Sequence, residues 1–96
     1  MLKHIVMWKF KDGVSDEDKL KMKNSLEALK GVAPTLLDIE VGLDVLRTDQ
    51  SQDCVLYSEF ENLDGLKAYA EHPEHVKLLG FIKSLVCERH AVDYEV

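Results

Sequence analysis

The segment from Lys3 to Phe10, Lys-His-Ile-Val-Met-Trp-Lys-Phe, constrains the fold more than any other part of the chain. Successive side chains of a strand point to opposite faces, so His4, Val6, Trp8 and Phe10 share one face while Ile5 and Met7 take the other. Both faces are apolar. A strand covered on one side only alternates apolar with polar residues, so this one predicts cover on two sides. The chain has 96 residues, 46% of them hydrophobic and 31% charged, which is room for a single globular domain spanning 1–96. A domain of this size buries only about 60 to 70% of the surface its unfolded chain exposes, which makes a second copy a natural source of the missing cover.

The remaining elements follow from punctuation and periodicity. Asp12-Gly13 breaks the first strand, and Ser15 followed by Asp16, Glu17 and Asp18 predicts an N-cap with acids favoured by the helix dipole. The helix is predicted to run to about Lys30 with Met22, Leu26 and Leu29 on one stripe, Gly31 as C-cap and Pro34 in the next turn. Leu37, Ile39, Val41, Leu43 and Val45 alternate with Asp38, Glu40, Gly42 and Asp44, a period-two strand. Across the polar loop from Arg47 to Asp53, Cys54 to Phe60 forms its antiparallel partner. Asn62 or Asp64 can cap a second helix carrying Leu63, Leu66, Tyr69 and Ala70. Pro73 interrupts it and starts a fresh helical segment with Val76, Leu79 and Ile82. A last strand runs from Leu85 to Tyr94. The order β-α-β-β-α-β predicts an α+β, ferredoxin-like domain: a four-stranded antiparallel sheet with helices on one face. The open face is expected to hold Ile5, Met7 and part of the Leu37 to Val45 stripe. Pairing two such faces predicts a homodimer through the open sheet face.

Charge and cysteine content exclude several functions. Twelve basic against eighteen acidic residues leave a net charge of −6, and Lys19, Lys21 and Lys23 are flanked by the acids Asp16 to Asp18 and Glu27 and do not form an uninterrupted block. Phosphate-backbone binding needs a concentrated positive surface, so nucleic acid is not an expected partner. No apolar stretch is long enough to span a bilayer and no signal-peptide pattern opens the chain, which predicts no membrane association and a cytoplasmic location. Cys54 and Cys87 lie in apolar runs without metal spacing and are expected as buried free thiols. Gly-rich phosphate loops are absent, and neither a metal nor another cofactor is expected.

Imidazole changes charge near neutral pH, so the histidines His4, His72, His75 and His90 are the residues suited to acid–base work. His4 shares the face of Val6 and Trp8, and His75 opens the helix expected to cover that face. Tyr69 lies one helical turn before His72. A phenol can hold a substrate oxygen while an imidazole removes a nearby proton. Each residue also has a structural reading: Tyr69 as core, His72 as the cap of the helix that Pro73 starts, His4 as a hydrogen-bonded core histidine. A His4/His72/His75 metal site lacks a carboxylate or thiolate to complete it. Two functions stay open on these residues: a small-molecule site centred on His75, or an interaction protein whose pocket is filled by Phe81, Trp8 and Leu79.

His4-Ile5-Val6-Met7-Trp8-Lys9-Phe10-Lys11, Gly42-Leu43-Asp44, Tyr69-Ala70-Glu71-His72-Pro73-Glu74-His75 and Val92-Asp93-Tyr94 together resemble the stress-responsive dimeric α/β-barrel (Dabb) family over essentially the whole chain. The resemblance implies a ferredoxin-like protomer and a dimer whose sheets close a barrel. A plant polyketide cyclase of the family uses a tyrosine and the second histidine of the His-Pro-x-His segment in a cofactor-free aldol condensation. By position those roles fall to Tyr69 and His75, in a pocket lined by His4, Val6, Trp8, Met22, Leu26, His72 and Leu79. Met22 and Leu26 stand where the cyclase has aromatic residues, a departure that bears on specificity. The resemblance also admits cofactor-independent monooxygenase or lyase-like chemistry, a non-enzymatic stress role, and a magnesium ion near Val32 to Leu36.

Overall fold

The computed structural model describes all 96 residues. β1 (Leu2–Phe10) leads into α1 (Asp16–Glu27), the hairpin of β2 (Asp38–Leu43) and β3 (Cys54–Phe60), two consecutive helices α2 (Leu63–Glu71) and α3 (Pro73–Leu85), and β4 (Val86–Glu95). The four strands form one sheet in the order β2-β3-β1-β4, each neighbouring pair antiparallel. This is the ferredoxin-like arrangement, with helices on one face. β1 is central: Ile5 stands opposite Tyr57 on β3 and Val92 on β4.

The helix-covered face holds the core. Val6, Trp8, Leu56, Ile39 and Val41 meet Met22, Leu26, Tyr69, Ile82 and Leu85, and Phe60 is fully buried among them. Within β2 the apolar residues of the Leu37 to Val45 stripe, Ile39, Val41 and Leu43, belong to this side, contrary to the expectation that part of the stripe lies on the open face, while Leu37 and Val45 lie outside the strand and are exposed. Register decides it: Ile39, Val41 and Leu43 stand opposite Ser58, Leu56 and Cys54, which in turn face His4, Val6 and Trp8. From β2 the open face receives Asp38, Glu40 and Gly42 instead. Its apolar part comes from Ile5 and Met7 on β1, Val55 and Tyr57 on β3, and Val92 and Tyr94 on β4. Cys54 is buried as expected. Cys87 is exposed, because β4 lies at the sheet edge, with its Sγ 3.6 Å from the Phe10 carbonyl oxygen.

The caps follow local chemistry. Ser15 accepts from the Asp18 N–H at 3.1 Å and Asn62, not Asp64, accepts from the Gly65 N–H at 2.9 Å. α1 ends at Glu27, short of Lys30, and tighter turns lead to Gly31 at φ 85°. Glu27 has a second use. It accepts from the Val41 N–H while Lys23 donates to the Val41 carbonyl, so α1 satisfies the outward backbone groups of Val41 on edge strand β2. Asp38 does the same for the Ile39 N–H at 3.0 Å.

The junction of α2 and α3 sets up everything around His75. Proline disfavours helical backbone at the residue before it, and His72 accordingly adopts φ −61° and ψ 133°. It is at once the C-cap of α2 and the N-cap of α3, with Pro73 in the first turn of α3.

Phe60→Ala is expected to lower stability by about 3 to 5 kcal/mol, as full aromatic truncation in a sealed core does. Denaturant unfolding of the two proteins measures the difference, and a loss below roughly 1 kcal/mol would contradict the packing described.

Candidate functional site

Between β1 and the helices lies a cavity of about 370 Å³ with a mostly apolar lining. His4 and Trp8 from β1, Leu26 from α1, Tyr69 from α2, and His75 and Leu79 from α3 contribute to its wall. A hollow of similar size, about 390 Å³, lies beside the β1–α1 loop. Its lining is mostly charged, and within it Arg47 meets Asp44 at 3.2 Å and Asp53 at 2.7 Å.

His75 reaches back across the α2–α3 junction, with Nδ1 3.0 Å from the Ala70 carbonyl oxygen. A carbonyl only accepts, so this contact selects the tautomer with the proton on Nδ1 and leaves the Nε2 lone pair free. Burial moves the imidazole below its ordinary pKa of 6.5, and the charges of His4, Arg89 and His72 act in the same direction against the opposing Ala70 hydrogen bond. His75 is therefore a neutral base at pH 7.

Tyr69 packs against it, ring centroids 4.5 Å apart at 50°, and rests on Phe60 at 5.1 Å. The tyrosine is 2% exposed and its buried hydroxyl has no hydrogen-bond partner. An orphaned buried hydroxyl costs about 1 to 3 kcal/mol, a penalty that proteins mostly avoid and that a bound acceptor would remove. Burial pushes its pKa up to about 12, so the phenol keeps its proton as a donor. On the β1 side, His4 Nδ1 is hydrogen-bonded to the Asp93 carboxylate of β4, which fixes the ring's orientation.

Among the residues expected to line the pocket, His4, Trp8, Leu26 and Leu79 do so together with Tyr69 and His75. Three do not. Val6 and Met22 belong to the same core but are not part of the cavity wall. His72 turns its Nδ1 to the Glu74 N–H at 3.1 Å, spending its side chain on the cap of α3. Phe81 is not in the wall either; Lys21 Nζ stands 4.9 Å over its ring. Asp93 and Arg89 reach the site through the register of β4 with β1, Asp93 by holding His4 and Arg89 as part of the lining, to which α3 adds Lys83. No sequence spacing announces such cross-strand partners. Around Val32 to Leu36 the one side-chain oxygen belongs to Thr35, whose hydroxyl donates to the Gly65 carbonyl at 2.7 Å, so what the segment offers a hard cation is chiefly backbone carbonyls. No group of three or more His, Cys, Asp or Glu side chains converges elsewhere.

Comparison with known proteins gives the site its context. The sequence model of the stress responsive A/B barrel domain, Dabb, matches residues 2–96. Olivetolic acid cyclase of Cannabis sativa is 27% identical over 77 residues, covering 78% of this chain and 76% of the cyclase. A stress-response A/B barrel domain-containing protein of Arabidopsis thaliana is 30% identical over 79 residues, which make up 82% of this chain but only 30% of the longer plant protein. Among solved structures, a dimeric protein of unknown function and ferredoxin-like fold from Bacteroides fragilis is 40% identical, with a TM-score of 0.82 over 99% of this chain and 95% of that one.

The His75 ring is expected to titrate below pH 6.5, read from its carbon-bound proton shifts in NMR. Because the folded state resists protonation, the stability it confers is complete above the unfolded pKa and declines as pH falls from about 6.5 through the folded value. A midpoint above 6.5 would exclude the neutral base.

Proposed function

The chain belongs to the stress responsive A/B barrel (Dabb) domain family, and from that premise we propose that it is a homodimer that holds a small organic molecule beside His75 and moves a proton on it without a cofactor. The observation that carries this reading is the pairing of a buried, unpartnered Tyr69 hydroxyl with a neutral His75 in the wall of one apolar cavity. In the step that suits these groups, His75 Nε2 takes a proton from a carbon next to a carbonyl. The bond's electron pair moves onto the carbonyl oxygen, where the Tyr69 hydroxyl hydrogen-bonds the developing enolate. His4, fixed by Asp93, bounds the other side of the reacting region. An aldol-type cyclisation or a lyase reaction uses this same first step, and the similarity to a cyclase supports chemistry of that kind.

The cavity favours this reading over a packed, non-enzymatic pocket. Trp8 and Leu79 form its wall without filling it, and Phe81 lies outside. The dimer has separate support. The open sheet face leaves Met7, Val55, Val92 and Tyr94 each more than a third exposed in the single chain, and the Bacteroides fragilis protein is described as dimeric. Two such faces packed together account for the two-sided apolar pattern of β1.

His75→Ala is expected to reduce proton abstraction from a bound carbonyl compound by roughly 100-fold or more, followed as deuterium exchange at the acidic carbon in heavy water. Tyr69→Phe should separate function from stability: the empty protein loses an orphaned hydroxyl and becomes no less stable, while ligand affinity falls about tenfold. Unchanged exchange and binding in both variants would remove the assignment. For the assembly, Ile5→Asp is expected to give a folded monomer in light scattering at micromolar concentration, since a carboxylate cannot be buried unpaired between two sheets. A wild-type protein already monomeric under those conditions would overturn the dimer.

A further inference from the structure

Two cations stand in the wall of the His75 cavity with no acid to meet them. Lys83 lies in the last turn of α3 and Arg89 on β4, and both are exposed, so they stand where the cavity opens to solvent. Neither takes part in any ion pair or side-chain hydrogen bond, although eighteen acids outnumber twelve bases in the chain. The nearby acids of β4 are committed. Glu88 lies on the opposite sheet face, 3.6 Å from His90, and Asp93 holds His4. A lysine in the last turn of a helix is explained by the helix dipole alone. Arg89 is not, because its register partner is Trp8 and its side of the strand is the one turned towards the apolar cavity.

We propose that Arg89 and Lys83 form an anionic anchor and that the molecule held beside His75 and Tyr69 is a carboxylate with an apolar body. This rests on the reading of the cavity as a ligand site and deepens it by naming the class of ligand. Polarity agrees: the lining is mostly apolar and carries the unpartnered Tyr69 hydroxyl, and Lys83 and Arg89 add two positive charges to it. The Arg89 guanidinium matches a carboxylate with two parallel N–H bonds, and Lys83 adds a point charge. A phosphate fits less well. The helix end beside Lys83 is the C-terminus of α3, whose carbonyls disfavour a dianion more strongly than a singly charged carboxylate. Anchoring the carboxylate at the mouth directs the apolar body inward, towards Tyr69 and His75, so the anchor fixes orientation as well as class.

The test uses 4-phenylbutyrate and its neutral isostere 4-phenylbutanamide, with the fluorescence of Trp8, the chain's single tryptophan, as the readout. Wild-type protein is expected to bind the carboxylate about tenfold more tightly than the amide, and added salt should erode that preference. Arg89→Gln and Lys83→Gln should each reduce it, and the double variant should abolish it, the carboxylate's affinity falling to that of the amide. Should both probes bind wild type equally while Tyr69→Phe weakens both, the cavity is a ligand site and the anionic anchor is wrong. A double variant that still prefers the carboxylate also overturns the anchor. If neither probe perturbs Trp8, both readings fall.

Discussion

Everything in this protein is organised around β1 being paired on both edges and apolar on both faces. Its backbone is committed to β3 on one side and β4 on the other, so it cannot shift register without breaking both ladders. One set of its side chains seeds the core beneath the helices, and the other supplies the centre of the open face. His4 belongs to the first set. A histidine there is fixed in depth by the strand and in orientation by Asp93 across the ladder, with no loop involved. Sites built on paired strands hold their geometry more closely than sites on loops.

The second fixed point is the proline. Pro73 ends α2 by forcing its predecessor out of helical backbone, and the sharp turn brings His75 back over Ala70 and against Tyr69. The same break that costs backbone hydrogen bonds thereby sets the tautomer of the imidazole and its distance from the phenol. His72 recovers part of that cost as a cap, which is why it is absent from the cavity it flanks.

The βαββαβ order was legible from local signals: the caps at Ser15 and Asn62, the break at Pro73 and the alternation in β2 each depend on residues near one another in the chain. What escaped was non-local. The alternation from Leu37 to Val45 reveals two faces but not which of them meets the helices; that is decided by pairing with Ser58, Leu56 and Cys54. Tyr69, His75 and His4 could be named because a phenol and imidazoles carry recognisable chemistry. Val6 and Met22 show the limit of that reasoning, since sharing a face with the cavity does not separate its wall from the core behind it. Arg89 shows the converse, an ordinary charged strand residue whose place in the cavity wall arises from its register with Trp8.

The treatment of the sheet's two edges differs, and the difference limits how copies of this chain can add to one another. At β2 the outward N–H groups of Ile39 and Val41 and the Val41 carbonyl are occupied by Asp38, Glu27 and Lys23, whereas β4 runs for ten residues without such cover. Each chain therefore presents one adhesive rim and one blunted rim. Growth of a fibre by strand addition needs two adhesive rims on every unit. With only one, edge-on association closes after a single pairing, and the long bare strand that would otherwise be a hazard is confined to making pairs.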